Sequence, residues 1–195
     1  MIDLDNAIFT NHISTLKDTS LDKREKETYY MTSSARSAIN FDDVKNEYIK
    51  SLDMSETPSS NDALFEDGNG SVVFVEFKNK KIDSKTQYRI RRKIYDSVFI
   101  FTDLTSTTIS TLRKYAKYIL VYNEMENKDN NSDKELVEKN KYVQSSSSFD
   151  DIAKTLSGYA KKEYICFGLR SFVNYCFKEV HTFTEKEFEA YLEKL

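Results

Sequence analysis

Two extended runs, Asp62-Ala-Leu-Phe-Glu66 and Ser71-Val-Val-Phe-Val-Glu-Phe-Lys78, flank the tetrapeptide Asp67-Gly-Asn-Gly70, and no other segment constrains the fold as tightly. Two of the chain's four glycines fall in that tetrapeptide, where glycine tolerates a positive φ that costs other residues steric strain. Branched and aromatic residues dominate both flanks, as strands require. The segment therefore predicts a β-hairpin. A loop of residues 67–71 sets Asp62 opposite Glu76, whereas a loop of 67–70 slips the register by one.

Side chains of a strand alternate between its two faces, so Glu76 and Lys78 share a face with Val72 and Phe74, while Val73, Val75 and Phe77 point the other way. A polar pair thus ends an otherwise apolar strand. In the first register Asp62 and Glu76 are cross-strand neighbours, about 5 Å apart at Cβ. Adjacent carboxylates repel, and a shared cation is the simplest reason to place them together. Oxygen ligands with no nearby His or Cys favour Mg²⁺ or Mn²⁺ over zinc.

Around the hairpin the pattern predicts an α/β chain. Residues 1–57 form a polar part that reads as helical, clearest at Asn40–Leu52, with Asn40 as N-cap and Phe41, Val44, Tyr48 and Leu52 at helical spacing. Residues 58–122 form the core. After the hairpin they predict a basic helix over Ser84–Asp96 with Tyr88, Ile90, Ile94 and Tyr95 inward, a strand at Val98–Phe101, a helix at Thr107–Ala116 and a strand at Tyr118–Tyr122. That order suggests β-α-β-α-β with parallel pairing. Residues 123–148 read as a polar excursion with a short helix around Lys134–Asn140. Residues 149–195 read as a helix near Asp150–Ala160, strands around Tyr164–Leu169 and Ser171–Lys178, and a final helix opened by the capping box Thr184-Glu-Lys-Glu187.

A chain of 195 residues fits one domain, and 13 Tyr and 13 Phe supply core material. A net charge of −3 gives no global attraction to phosphate and argues against a sheath-like nucleic-acid binder, so any such contact must be local. The N-terminus lacks a basic segment followed by an apolar run, and no stretch approaches the roughly 18 apolar residues of a membrane span. A cytoplasmic protein without membrane contact is expected. Cys166 and Cys176 read as inert buried thiols, and the two histidines, His12 and His181, form no zinc spacing.

Pro58, Asp62, the hairpin, Val-Phe-Val-Glu76-Phe-Lys78-Asn and the helix and strand that follow resemble the PD-(D/E)xK, or restriction-endonuclease-like, nuclease superfamily over about Asn40–Phe101. The resemblance implies a mixed sheet whose hairpin carries the site, flanked by helices. It implies catalysis by Asp62, Glu76 and Lys78. Divalent metal would be held by Asp62, Glu76 and the main chain of Phe77, with Glu47 as the acid contributed by the preceding helix. Lys78 would orient the attacking water and stabilise the charged transition state. Two departures stand out: Pro58 lies four residues before Asp62 rather than beside it, and the first strand of the family's three-stranded meander has no clear segment.

Glu-x-Lys by itself carries little information in a chain with 31% charged residues, and Glu126-Asn-Lys128 is another instance. The setting of Glu76 and Lys78 distinguishes them: four apolar strand residues precede the pair and an aspartate lies across a turn. Lys80, Lys81, Arg89, Arg91, Arg92 and Lys93 make the densest basic segment and would supply local phosphate attraction. Asp96 and Ser97 could cap that helix or approach the site. The expectation is a Mg²⁺- or Mn²⁺-dependent nuclease, acting on DNA more readily than RNA. A catalytically inactive binding or regulatory protein of the same fold is the rival, and a homodimer or a partner protein stays open.

Overall fold

The computed structural model describes residues 4–23, 28–128 and 165–195. A six-stranded mixed sheet forms its centre. Its strands are β1 (Ile13–Thr15), β4 (Ser37–Asn40), β5 (Ala63–Glu66), β6 (Val72–Lys78), β7 (Ala116–Tyr122) and β8 (Glu179–Thr184), in that spatial order. β1, β4, β5 and β6 pair antiparallel in succession, and β6–β7 and β7–β8 pair parallel. A separate two-stranded ribbon joins β2 (Leu21–Lys23) to β3 (Thr28–Tyr30).

Both faces of the central strands are buried, as a sheet covered by helices on each side requires. On one face Phe74, Leu64, Tyr118 and Leu120 pack with α3 (Phe41–Tyr48) and α4 (Ser84–Leu104) through Phe41, Val44, Ile90, Ile94, Val98 and Phe101. On the other, Val73, Val75, Phe77, Ile119 and Val121 pack with Phe188 of α6 (Glu185–Leu192) and with Leu16 of α2 (Leu16–Thr19). The remaining helices are α1 (Ala7–Thr10) and α5 (Ile109–Tyr115). Among the described residues no helix is long and apolar enough to cross a membrane.

The hairpin has the register of the longer loop, with Ala63 opposite Val75 and Glu66 opposite Val72. Gly70 adopts φ +71°, the left-handed conformation that the turn needs. Asn40 caps α3 through the Asp43 N–H, and Thr184 and Glu187 form the reciprocal capping box of α6.

Several expectations are corrected. Residues 1–57 are not mainly helical: β1 and β4 complete the antiparallel side of the sheet. Val98–Phe101 is helical and continues α4 to Leu104. Its burial has helical period, with Ile94, Val98 and Phe101 inside and Phe99 70% exposed. A single crossover through α4 and α5 therefore joins β6 to β7, in place of β-α-β-α-β. Tyr88 and Tyr95 face outward.

In the C-terminal part, positive φ at Phe167, Gly168 and Asn174 breaks the two expected strands, leaving a 3₁₀ turn at Leu169–Phe172 with β8 after it. Residues 123–128 are not a loose excursion, since Asn127 is buried. The expected helices at Lys134–Asn140 and Asp150–Ala160 lie outside the described residues. Cys166 and Cys176 are buried free thiols.

Candidate active site

The site lies where the hairpin opens, at the end of β6 and just before β5. There Asp62 N–H bonds the carbonyl of Val75, the residue that Ala63 already faces, at 3.0 Å, so Asp62 steps out of the hairpin register just past its last pair. The Asp62 carbonyl accepts the Phe41 N–H at 3.2 Å, which ties the start of α3 to the same point. Three contacts from α4 fix residues 59–62 from the other side. Asp96 accepts the Ser59 N–H, the Ser97 hydroxyl accepts the Asn61 N–H, and Lys93 reaches Asp62. Asp96 and Ser97 thus approach the site and do not end the helix.

Glu76 is fully buried, and Lys78 projects from the same face to bond it. The cation that Asp62 and Glu76 share is an ammonium group. Lys93 Nζ lies 3.0 Å from Asp62 Oδ1 and 2.8 Å from Glu76 Oε1. The second oxygen of Asp62 accepts the Phe77 N–H at 2.7 Å, so Phe77 meets this acid through its main-chain donor.

Burial pushes the Glu76 carboxyl up from its ordinary range and the charge of Asp62 adds to this, while Lys78 and Lys93 oppose the rise without cancelling it. For Lys93, burial alone would lower the pKa, but Glu76 and Asp62 outweigh it and hold the amine charged. Burial raises the Tyr118 phenol well above its usual value, with Glu76 and Asp62 adding their charge.

An open cleft of about 480 Å³ runs past this cluster and leaves Glu76 buried beneath it. Asp62, Lys78 and Lys93 line it with Asp42 from α3, Lys80 and Asn79 after β6, Arg89 from α4, and Asp22 of the ribbon. Asparagines brace its rim: Asn79 bonds Asp22 and Asn123, and Asn127 accepts the Ile82 N–H at 2.8 Å.

Of the residues expected here, the structure brings together Asp62, Glu76, Lys78 and Phe77. Glu47 is turned away. Its carboxylate binds His12 at 2.6 Å, and it stands five residues beyond Asp42, rotated by about 140° around the helix. The acid that α3 gives to the cleft is Asp42, which also accepts the Ser60 hydroxyl. The basic run divides. Lys80 and Arg89 line the cleft and Lys93 belongs to the carboxylate cluster. Arg91 points to the Gly168 carbonyl, Arg92 pairs with Asp96 and Glu56, and Lys81 is exposed outside the cleft lining. Lys93 had a signal in the sequence: it sits three residues after Ile90 and four before Ser97, at the border of the buried stripe of α4.

Among the described residues no group of three or more His, Cys, Asp or Glu side chains is placed to hold a metal ion. Two carboxylates still suit Mg²⁺, which keeps several waters and is commonly bound through one or two carboxylates plus substrate phosphate. Searches of protein-family models, curated proteins and solved structures find no match to this chain.

Proposed function

We propose that the protein is a metal-dependent nuclease of restriction-endonuclease-like architecture, hydrolysing phosphodiester bonds of nucleic acid, DNA in preference to RNA. One observation carries this reading: the carboxylates of Asp62 and Glu76 meet at one ammonium group, with Lys78 bonded to Glu76, and Asp62, Lys78 and Lys93 line an open cleft beside them. The meander β4–β5–β6, followed by a helix and a parallel strand, also agrees with the architecture that the sequence resemblance implies.

Asp62 and Glu76 would hold Mg²⁺ or Mn²⁺. When bound, that ion polarises the scissile phosphate and makes water a stronger nucleophile. The Lys78 ammonium neutralises charge that builds on the phosphate oxygens as water attacks and the ester oxygen leaves. Lys80 and Arg89 supply phosphate attraction along the cleft wall, offsetting the chain's net charge of −3.

A second reading, a binding or regulatory protein with a silent site, is favoured by the bridge that Lys93 makes between the two carboxylates. Incubation with plasmid, linear single-stranded DNA and RNA, in Mg²⁺ or Mn²⁺ and with or without chelator, separates the two. Cleavage that disappears with chelator and in Glu76→Gln is the expected result. Intact substrates under every condition, with no Mn²⁺-dependent change in melting temperature, select the second reading.

A further inference from the structure

We propose that Lys93 is the site's resident cation: its ammonium holds Asp62 and Glu76 together in the metal-free protein, and a divalent ion binds by displacing it into the cleft. This rests on the metal-dependent reading and adds to it a positioning residue that acts through the two carboxylates.

Four observations support it. First, Lys93 bonds both carboxylates, and it reaches both oxygens of Glu76, at 2.8 and 3.0 Å. It thereby sits where an ion shared by these acids would sit. Second, α4 has other anchors. Ile90, Ile94, Val98 and Phe101 are buried in the core, and Asp96 and Ser97 independently hold Ser59 and Asn61. Removing Lys93 from the carboxylates need not detach the helix. Third, the Lys93 side chain keeps 22% of its surface exposed and lines the cleft, so its flexible stem has somewhere to carry the ammonium.

The fourth observation is the balance of charge. Asp62 and Glu76 against Lys78 and Lys93 sum to zero, so the closed cluster attracts a dication weakly. With Lys93 withdrawn the remaining three groups carry one negative charge, and a dication leaves them with one positive charge, matched by one phosphodiester. Metal and nucleic acid are then each better bound in the presence of the other, and the released ammonium adds a further cation near the phosphate.

Mn²⁺ titration by calorimetry and thermal melts in chelator and in Mn²⁺ test this on the full chain and on Lys93→Met, which keeps the stem and removes the charge. The variant should melt lower in chelator, bind Mn²⁺ at least tenfold more tightly than the parent, and recover a larger part of its melting temperature when Mn²⁺ is added. Adding Glu76→Gln to Lys93→Met should erase the gain in affinity. Should Lys93→Met fail to fold without metal, Lys93→Gln repeats the comparison with a residue that still donates hydrogen bonds. Metal-dependent cleavage by the parent together with unchanged or weaker Mn²⁺ affinity in both variants would overturn the displacement and leave the nuclease reading standing. Binding of Mn²⁺ by neither parent nor variants would remove both. Tight, Glu76-dependent binding by the variants alone supports Lys93 as the occupant even if the parent cleaves nothing.

Discussion

The two ends of one hairpin hold buried acids beside lysines, with opposite electrostatic outcomes. At the turn, Asp67 Oδ1 accepts the N–H groups of Asn69 and Ser71, both at 2.9 Å, and Oδ2 meets Lys117 at 3.1 Å. Burial alone would raise the Asp67 pKa, but these donors outweigh it and the net shift is downward. At the open end, Glu76 has only lysine partners among the described residues and a second carboxylate beside it, and its pKa moves up. An acid satisfied by fixed backbone donors stays charged and braces a turn. One buried beside a like charge, with only ammonium partners, is disfavoured in its charged form. Burial of an acid is therefore uninformative until its donors are named.

The largest effect should come from exchanging the charge at each end in turn. On the proposed nuclease reading, Glu76→Gln should reduce cleavage by roughly 10³-fold or more, because it would remove one of the two proposed metal ligands. Its melting temperature should hold or rise, since it also removes like-charge repulsion in a fully buried place. Asp67→Asn should do the reverse, leaving cleavage intact while costing about 1–3 kcal/mol of stability from weakened charge-assisted hydrogen bonds. Guanidinium unfolding and a cleavage assay on both proteins check this. Parallel losses of activity and stability in Glu76→Gln would make the two ends equivalent and remove the contrast.

How far the sequence disclosed these ends depended on the kind of signal each carried. The hairpin was legible because Gly68 and Gly70 mark its turn and Val72 to Lys78 alternate across a sheet buried on both sides. Lys78 followed from the strand period alone. Lys93 reads as a phosphate contact because it belongs to the densest basic run of the chain, and Val98–Phe101, four apolar residues in a row, fits a strand as well as a helix. Read as helix, the same residues extend the buried stripe back to Ser97, Ile94 and Ile90 and put Lys93 on its edge. The N-terminal strands gave no such pattern, being three or four residues long with β3 wholly exposed. β8 buries Thr182 and Thr184 while His181 and Phe183 stay half-exposed, so hydropathy does not track its inner face.

The pH dependence of stability should also divide the two ends. Asp67 has a folded pKa below its unfolded value, so its contribution is present above about pH 4 and is lost as the pH falls through the folded value. Asp67→Asn should flatten the acid limb of the stability curve there. The folded pKa of Glu76 lies above its unfolded value, so its favourable contribution is present below about pH 4.3 and is lost as the pH rises through the folded value. Relative to the parent, Glu76→Gln should therefore gain stability as the pH rises from about 4.3 towards the raised folded value. Melting temperatures taken across that range in chelator give both differences. Slopes of the same sign would show that one of the acids has been misplaced.

The smallest effect concerns α3, which carries three acids, Asp42, Asp43 and Glu47, and gives Asp42 to the cleft. Asp42 lines the cleft beside Asp62 and accepts the Ser60 hydroxyl, whereas Glu47 is paired with His12 at 2.6 Å. The Glu47 side chain is 38% exposed, and a pair in that position contributes on the order of 0–1 kcal/mol. Glu47→Gln should thus change the melting temperature slightly and leave Mn²⁺ affinity and cleavage within about twofold of the parent. Asp42→Asn should weaken Mn²⁺ binding several-fold, because a carboxylate at the cleft wall adds negative potential where the dication arrives even without direct ligation. Calorimetric titration of the two variants side by side decides which acid of α3 serves the site. A larger loss of Mn²⁺ affinity in Glu47→Gln than in Asp42→Asn would mean that α3 turns on its axis when metal binds, bringing round the residue that now faces His12.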